Sequence, residues 1–348
     1  MNRTGFTTTI PLEILVAAHR TPVDLNNIFI TSDHSHQMME EAELAGFPRN
    51  VCGWIKGIYG AVVTSGIREM VAVTEGDCSY TKALMEVLSL EGVVAVPFAY
   101  PHDRDAATLR REIEKLMGHF GVGWPEVVAA KERLDRIRLK VREIDRLTWD
   151  ENLVTGGETH YFQVCTSDMN GDPDRFEADV DEFLLTAASR SPRQEHLRLA
   201  YIGVPPIFDD IYPFLESHGA RVVFNETQRQ FAMPYGITDM VEQYRAYTYP
   251  YDIFHRLADI LMEVERRRVD AVVHYVQSFC FRQIEDMIIR KKLTVPVLTL
   301  EGDKPTPLDA RTRIRIEGFL EMMEDRGAGP GIRDSGSGTR DPGEMGRQ

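Results

Sequence analysis

Short, unbroken apolar runs recur along this chain, each separated from the next by a stretch with helical spacing. "EMVAVTEG", "VVAVPF", "LRLAYIGVP", "RVVFNE", "AVVHYV" and "VPVLTLEG" are rich in β-branched residues and lack polar alternation. A strand that is apolar on both faces must be covered on both, which is the situation of a strand in a parallel sheet flanked by helices. Parallel neighbours need long crossover connections, and the segments between the runs supply them. "SHQMMEEAELAGF" and "CSYTKALMEVLSLEG" read as helices stopped at Gly46 and Gly92, and "LDARTRIRIEGFLEMMED" as a later helix. "PLEILVAAH" reads as a short helix with Pro11 near its first turn. "VDLNNIFI" reads as extended chain, and "GWIKGIYGAVV" as a helix in spite of its glycines.

The chain has 348 residues, more than one hydrophobic core usually covers. The pattern therefore predicts an α/β protein with two doubly wound parallel-sheet domains, of Rossmann or flavodoxin type, facing a cleft. Residues 1–104 form an N-terminal helix and the first α/β domain, and residues 196–325 the second. Between them, residues 105–195 read as a helical region. Leu109, Ile113, Leu116 and Phe120 keep helical spacing, "GVGWP" breaks it, and Val127 to Leu147 resume it, which predicts a helical hairpin. Asp172-Pro173 is an N-cap followed by proline at the first helical position. Residues 326–348 have almost no large apolar side chain and read as a disordered tail.

A formal charge of −14 argues against wrapping a nucleic-acid backbone. No stretch approaches the ~20 apolar residues of a membrane span, and the N-terminus does not read as a signal peptide. A cytoplasmic protein with reduced thiols is expected, so Cys52, Cys78, Cys165 and Cys280 are core thiols, metal ligands or a redox pair. Cys78 and Cys280 share a context of strand, short loop, cysteine and helix, and Cys52 precedes a helix. Ligands of open parallel sheets bind at the carboxyl ends of the strands. A helix N-terminus favours thiolate, a good ligand for soft metals. Free cysteines are also among the most buried residue types, and there is no C-x-x-C, so spacing alone leaves packing and a shared metal site both open.

The chain resembles the 2-hydroxyacyl-CoA dehydratase and benzoyl-CoA reductase family, the D-component proteins, from about residue 10 to about residue 325. The resemblance is carried by "IPLEILVAAHRTPVDLN", "GFPRNVCGWIKG", "EGDCSYTKALMEVL", "YIGVPPIFDDIYPFLESHGARVVFNETQRQFAMP" and "VQSFCFRQIEDMIIRKKLTVPVLTLEGDKPTPLDARTRIRIEGFLEMM". It implies one [4Fe–4S] cluster held by Cys52, Cys78 and Cys280, with the fourth iron open to water or substrate. It also implies low-potential one-electron chemistry on an acyl-CoA thioester, either 2-hydroxyacyl-CoA dehydration or a related reduction. The implied partners are a second copy or a related subunit, and a separate ATP-driven iron–sulfur activator.

Gln277 is placed to donate to cluster sulfur, and Glu226 and Arg229 either line a substrate crevice or form an internal ion pair. Cys165 matches no ligand position and reads as an inert thiol, His274 as a core histidine, and His102 as a weak candidate near the cluster. No catalytic acid or base is assigned. No G-x-x-x-x-G-K-[ST] loop, G-x-G-x-x-G turn or G-x-S-x-G elbow occurs, which disfavours P-loop ATP hydrolysis, nicotinamide chemistry and an α/β-hydrolase triad. Two other readings stand beside the catalytic subunit: a non-catalytic electron-transfer or maturation protein, and a metal-free two-domain protein that binds a small molecule.

Overall fold

The computed structural model describes residues 2–194 and 197–327. The tail expected at 326–348 lies almost wholly outside the described residues.

Two four-stranded, all-parallel sheets form the frame. The first unit runs β1 (Arg3–Phe6), α1 (Leu12–Ala17), β2 (Thr21–Asp24), α2 (Leu25–Thr31), α3 (Ser35–Leu44), α4 (Gly53–Ser65), β3 (Glu69–Glu75), α5 (Thr81–Leu90) and β4 (Val94–Ala99). Its strand order is β2-β1-β3-β4. Then come α6 (Ala106–Phe120), α7 (Trp124–Trp149), α8 (Gly156–Cys165) and α9 (Pro173–Ala188). The second unit has β5 (Leu197–Gly203), α10 (Ile211–Ser217), β6 (Ala220–Asn225), α11 (Glu226–Phe231), α12 (Met240–Ala246), α13 (Ile253–Arg266), β7 (Ala271–Gln277), α14 (Asp286–Lys292), β8 (Val297–Gly302) and α15 (Ala310–Gly327). Its order, β6-β5-β7-β8, repeats that of the first sheet. In each sheet the order reverses next to the first-formed strand, so a switch point lies between β1 and β3 and another between β5 and β7.

Two local readings change. Residues 3–6 form the strand beside the first switch point, although Thr4 and Gly5 break the apolar pattern that would announce it. "VDLNNIFI" is not extended throughout. The strand stops at Asp24, whose carboxylate accepts the Asn26 amide at 2.9 Å and caps α2. The glycines of α4 have a packing reason. A Cβ on Gly57 would fall inside the Phe29 ring, so α2 and α4 touch at backbone distance.

The units are not independent bodies. Glu13 on α1 is fully buried and pairs with Arg138 of α7 at 2.7 Å. It also accepts from the Tyr244 hydroxyl at 2.7 Å and from Gln243 at 3.1 Å, both on α12. Chain that follows β6 thus returns to pack on the first unit. In the other direction Phe29, Met38, Met39 and Ala61 share a core with Leu199, Tyr201, Tyr275 and Leu300 of the second sheet. α6 and α7 join through Gly121–Gly123, and α7 packs chiefly on α1, α8 and α9.

Close approach and helix propensity act in opposite directions on two glycines. Gly57→Ala should cost about 1–3 kcal/mol, because the Phe29 contact outweighs alanine's better propensity. Gly118→Ala, with open space at its Cβ on exposed α6, should gain roughly 0.5–1 kcal/mol. Urea denaturation of both variants measures the two signs.

Candidate metal and substrate cleft

The loops leaving the strands at both switch points open onto one cleft. Thr7 and Thr8 follow β1, Asp77 and Cys78 follow β3, Val204 to Pro206 follow β5, and Cys280 follows β7 by three residues. Cys52, immediately before α4, lines the same space, which offers about 950 Å³ with its open mouth included. Cys52, Cys78 and Cys280 are therefore brought together from three separate segments. Cys165 is not among them; the last residue of α8, it is buried in the core near Tyr161, Asn170 and Asp168.

Main-chain contacts fix each thiol's carrier. The Trp54 and Ile55 amides favour the Cys52 thiolate without forming a cap hydrogen bond. A Cβ on Gly53 would strike the Asp303 carbonyl, so the start of α4 rests directly on the loop after β8. Cys78 precedes α5 by a turn closed by the Thr81 amide on the Cys78 carbonyl at 3.0 Å. Cys280 caps a short 3-10 turn, Phe281–Glu285, ahead of α14, not the α-helix expected there. Its amide donates to the Gln277 carbonyl at 3.0 Å, and Phe279 before it holds φ +64°. A phenylalanine in that region is a backbone outlier of the kind that clusters at ligand sites.

Burial dominates the electrostatics, against the expectation that helix N-termini would depress these thiols. Burial pushes Cys52 up to about 12, and a negative charge on Cys280 would push it further. Cys78 is raised by burial and then by Asp77, and Cys280 by burial, partly offset by the Arg282 amide and guanidinium. Without a cation in the cleft the three are thiols; a soft metal that takes them as thiolates supplies the missing positive charge. Among the described residues no three His, Cys, Asp or Glu side chains converge on one ion. Thiols set on different walls of a cleft suit a multi-iron cluster, whose ligands bind separate irons, better than a single ion. The donor set fits: three soft sulfurs, no fourth cysteine, and open space beside them.

Two carboxylates missed in the sequence, Asp77 and Asp24, also line this space, with Asp168 buried behind Asp24. Burial raises Asp77 to about 7 against the pull of the Cys78 amide, the Arg282 charge and a Tyr249 hydrogen bond. Asp24 lies at the end of β2, and its amide donates to Asp168 at 2.9 Å. Burial, then the Asp24 charge, lifts Asp168 to about 7, and burial raises Asp24 as well. Asp77 and Arg282 stood beside quoted cysteines and were legible; Asp24, Asp168 and His160 carried no such signal.

Gln277 lines the cleft, its amide held by Tyr275 at 2.8 Å and by the Asp303 carbonyl at 3.0 Å. Glu226 and Arg229 do not line it, nor do they pair with each other. Glu226 is buried against Arg256 at 2.8 Å, and Arg256 bonds on to Glu285, which reaches Arg282 at 3.2 Å. Arg229 pairs with Asp259 at 3.0 Å and Glu263 at 3.2 Å, away from the cleft. His274 is a buried histidine bonded to Asp286 at 2.7 Å, and His102 is exposed.

A family model described as 2-hydroxyglutaryl-CoA dehydratase, D-component, matches residues 7–323. The chain belongs to that family. The match takes in the second sheet, every strand of the first except β1, the helices between them and every wall of the cleft. No individually curated protein matches the chain. Among the described residues no helix is long and apolar enough to cross a membrane.

The buried pair Asp24–Asp168 should show in the pH dependence of stability. Asp168 has a folded pKa of about 7 against an ordinary 3.8, so the fold favours its protonated form. That contribution is complete at low pH and is lost as pH climbs from about 4 toward 7. Asp24→Asn keeps a good N-cap and removes one of the two charges. Relative to wild type, the variant should gain stability steadily across that window in urea titrations at successive pH values; a constant difference would contradict the coupling.

Proposed function

We propose that this D-component family member is an iron–sulfur subunit that acts on an acyl-CoA thioester, by 2-hydroxyacyl-CoA dehydration or a related reduction. The observation that supports this reading is the meeting of Cys52, Cys78 and Cys280, and no other cysteine, at one cleft large enough for a substrate. These three residues would hold a [4Fe–4S] cluster. When bound, such a cluster supplies low-potential electrons and, at the iron lacking a cysteine, a Lewis-acid position for a substrate oxygen.

The chain's own side chains do the rest. Ile30, Ile55, Ile58, Val164 and Phe231 form an apolar wall that receives an acyl chain and keeps water out. Gln277 lines the cleft with its oxygen fixed by the Tyr275 hydroxyl and one amide proton given to the Asp303 carbonyl, which leaves its second amide proton for a cluster sulfur or a ligand. Burial raises Asp77 to about 7, which suits it to give or take a proton near neutral pH. The space beside the thiols favours a substrate site over a cluster that only relays electrons, which would gain from complete enclosure by protein. A family named for one component of a dehydratase supports a second subunit, related or identical; a separate ATP-driven activator completes this reading. The cytoplasm, where thiols stay reduced, suits this assembly.

Anaerobic purification followed by iron and sulfide analysis tests the cofactor, with about four of each expected per chain. Cys52→Ala, Cys78→Ala and Cys280→Ala should each lose most of the iron, because no neighbouring side chain replaces the missing thiolate. Cys165→Ala should keep its iron and cost on the order of 1 kcal/mol in stability. Iron-free wild-type protein, or equal mild effects at all four positions, would sink the cluster. Elimination of water from a 2-hydroxyacyl-CoA in the presence of a reduced activator tests the reaction.

A further inference from the structure

His160 lies on α8 across the cleft from the strand-end loops and has no place in the chemistry above. A chain of hydrogen bonds behind it decides which of its nitrogens carries the proton. The chain starts at the Gly156 carbonyl, one helical turn earlier, which can only accept. Asn225 Nδ2 donates to that oxygen at 3.1 Å, so the Asn225 amide is oriented with Oδ1 pointing away. Oδ1 then accepts the single hydroxyl proton of Tyr212 at 2.8 Å. The Tyr212 oxygen, its proton committed, is left to accept from Gln228 Nε2 at 3.4 Å. The same Nε2 faces His160 Nδ1 at 3.1 Å. Nδ1 must therefore be the lone-pair nitrogen, and the proton sits on Nε2.

Gln228 Oε1 has no partner among the described residues. Reversing that amide would leave Nε2 unpaired instead and would set Oε1 against a hydroxyl already spent on Asn225, so the orientation stands. Burial holds the imidazole neutral, lowering its pKa to about 4, and its ring lies against Tyr212 with centroids 4.9 Å apart. Nε2 has no protein partner among the described residues, on a residue that lines the cleft. A neutral imidazole lining a largely apolar site, with its N–H uncommitted, is a donor for a carbonyl or hydroxyl oxygen that needs no countercharge.

We infer that His160 Nε2–H is a substrate-binding donor for an oxygen of the acyl thioester, with Gln228, Tyr212 and Asn225 as positioning residues that fix its tautomer. This rests on the reading of the cleft as a thioester site. No covalent step is involved.

The probe is butyryl-CoA, an acyl thioester with no 2-hydroxyl to eliminate, titrated into the full-length protein by calorimetry. His160→Leu should bind it roughly ten-fold more weakly, the loss of one hydrogen bond in a dry site. His160→Gln, whose amide nitrogen falls near the Nε2 position, should recover most of that loss. Two-bond 1H–15N spectra of 15N-histidine-labelled, oxidised wild-type protein should report a neutral ring protonated at Nε2. Unchanged affinity in His160→Leu, a His160→Gln variant as weak as His160→Leu, or a proton found on Nδ1 would overturn the inference. If wild-type protein does not bind butyryl-CoA, the thioester reading of the cleft fails and takes the ligand assigned to His160 with it. The nitrogen spectra would still report the tautomer by themselves, so the two failures separate.

Discussion

Parallel pairing is the constraint on which this molecule depends. In a parallel sheet every strand leaves by the same edge, and every connection must return across a face before the next strand begins. Loops at the exit edge are therefore gathered side by side without any need for sequence proximity. Two such edges meet here, and the cleft between them collects side chains from residue 7 to residue 280. Cys78 and Cys280 are 202 positions apart, yet each follows the strand on the far side of its own switch point.

The cost of this arrangement is a buried, polar interior behind the cleft. Glu226, Arg256, Glu285 and Arg282 run as a line of alternating charge from the second sheet to the Cys280 loop. Burial alone would raise Glu226, but the Arg256 guanidinium holds its carboxyl below the usual range. Glu13 is held low in the same way by Arg138. Each of these charges is tolerated because a partner on another element faces it, and removing one partner would strand the other in a low-dielectric interior. The carboxylates that lack a cation, Asp24 and Asp168, are instead raised by burial and give up their protons less readily.

The sequence made the second unit readable because its strands are uninterrupted apolar runs with helical stretches between them. Strand-to-helix boundaries drew attention to Cys78 and Cys280, and a helix start to Cys52, because such positions are local properties; taking the three as one ligand set came from the family resemblance. β1 was hidden since Thr4 is buried by its neighbours, not by any pattern of its own. α2 was hidden by apolar residues that suit either state, until the Asp24 cap decides the matter. Asp168 and His160 come from the helical middle, where core spacing was the visible signal. Their roles exist only in three dimensions: one faces a carboxylate 144 positions earlier, and the other takes its tautomer from amides on different elements.

The backbone contact between Gly53 and the Asp303 carbonyl has a bearing on how a substrate would get in. Asp303 also receives the Gln277 amide, so the carrier of Cys52, the loop after β8 and the end of β7 are riveted at one point. A clam-like opening of the two sheets would have to break that rivet and tear the shared core around Phe29 and Tyr275. Entry by hinge is thereby disfavoured. A ligand would instead enter through the existing mouth, so it is sorted by breadth before it reaches the thiols.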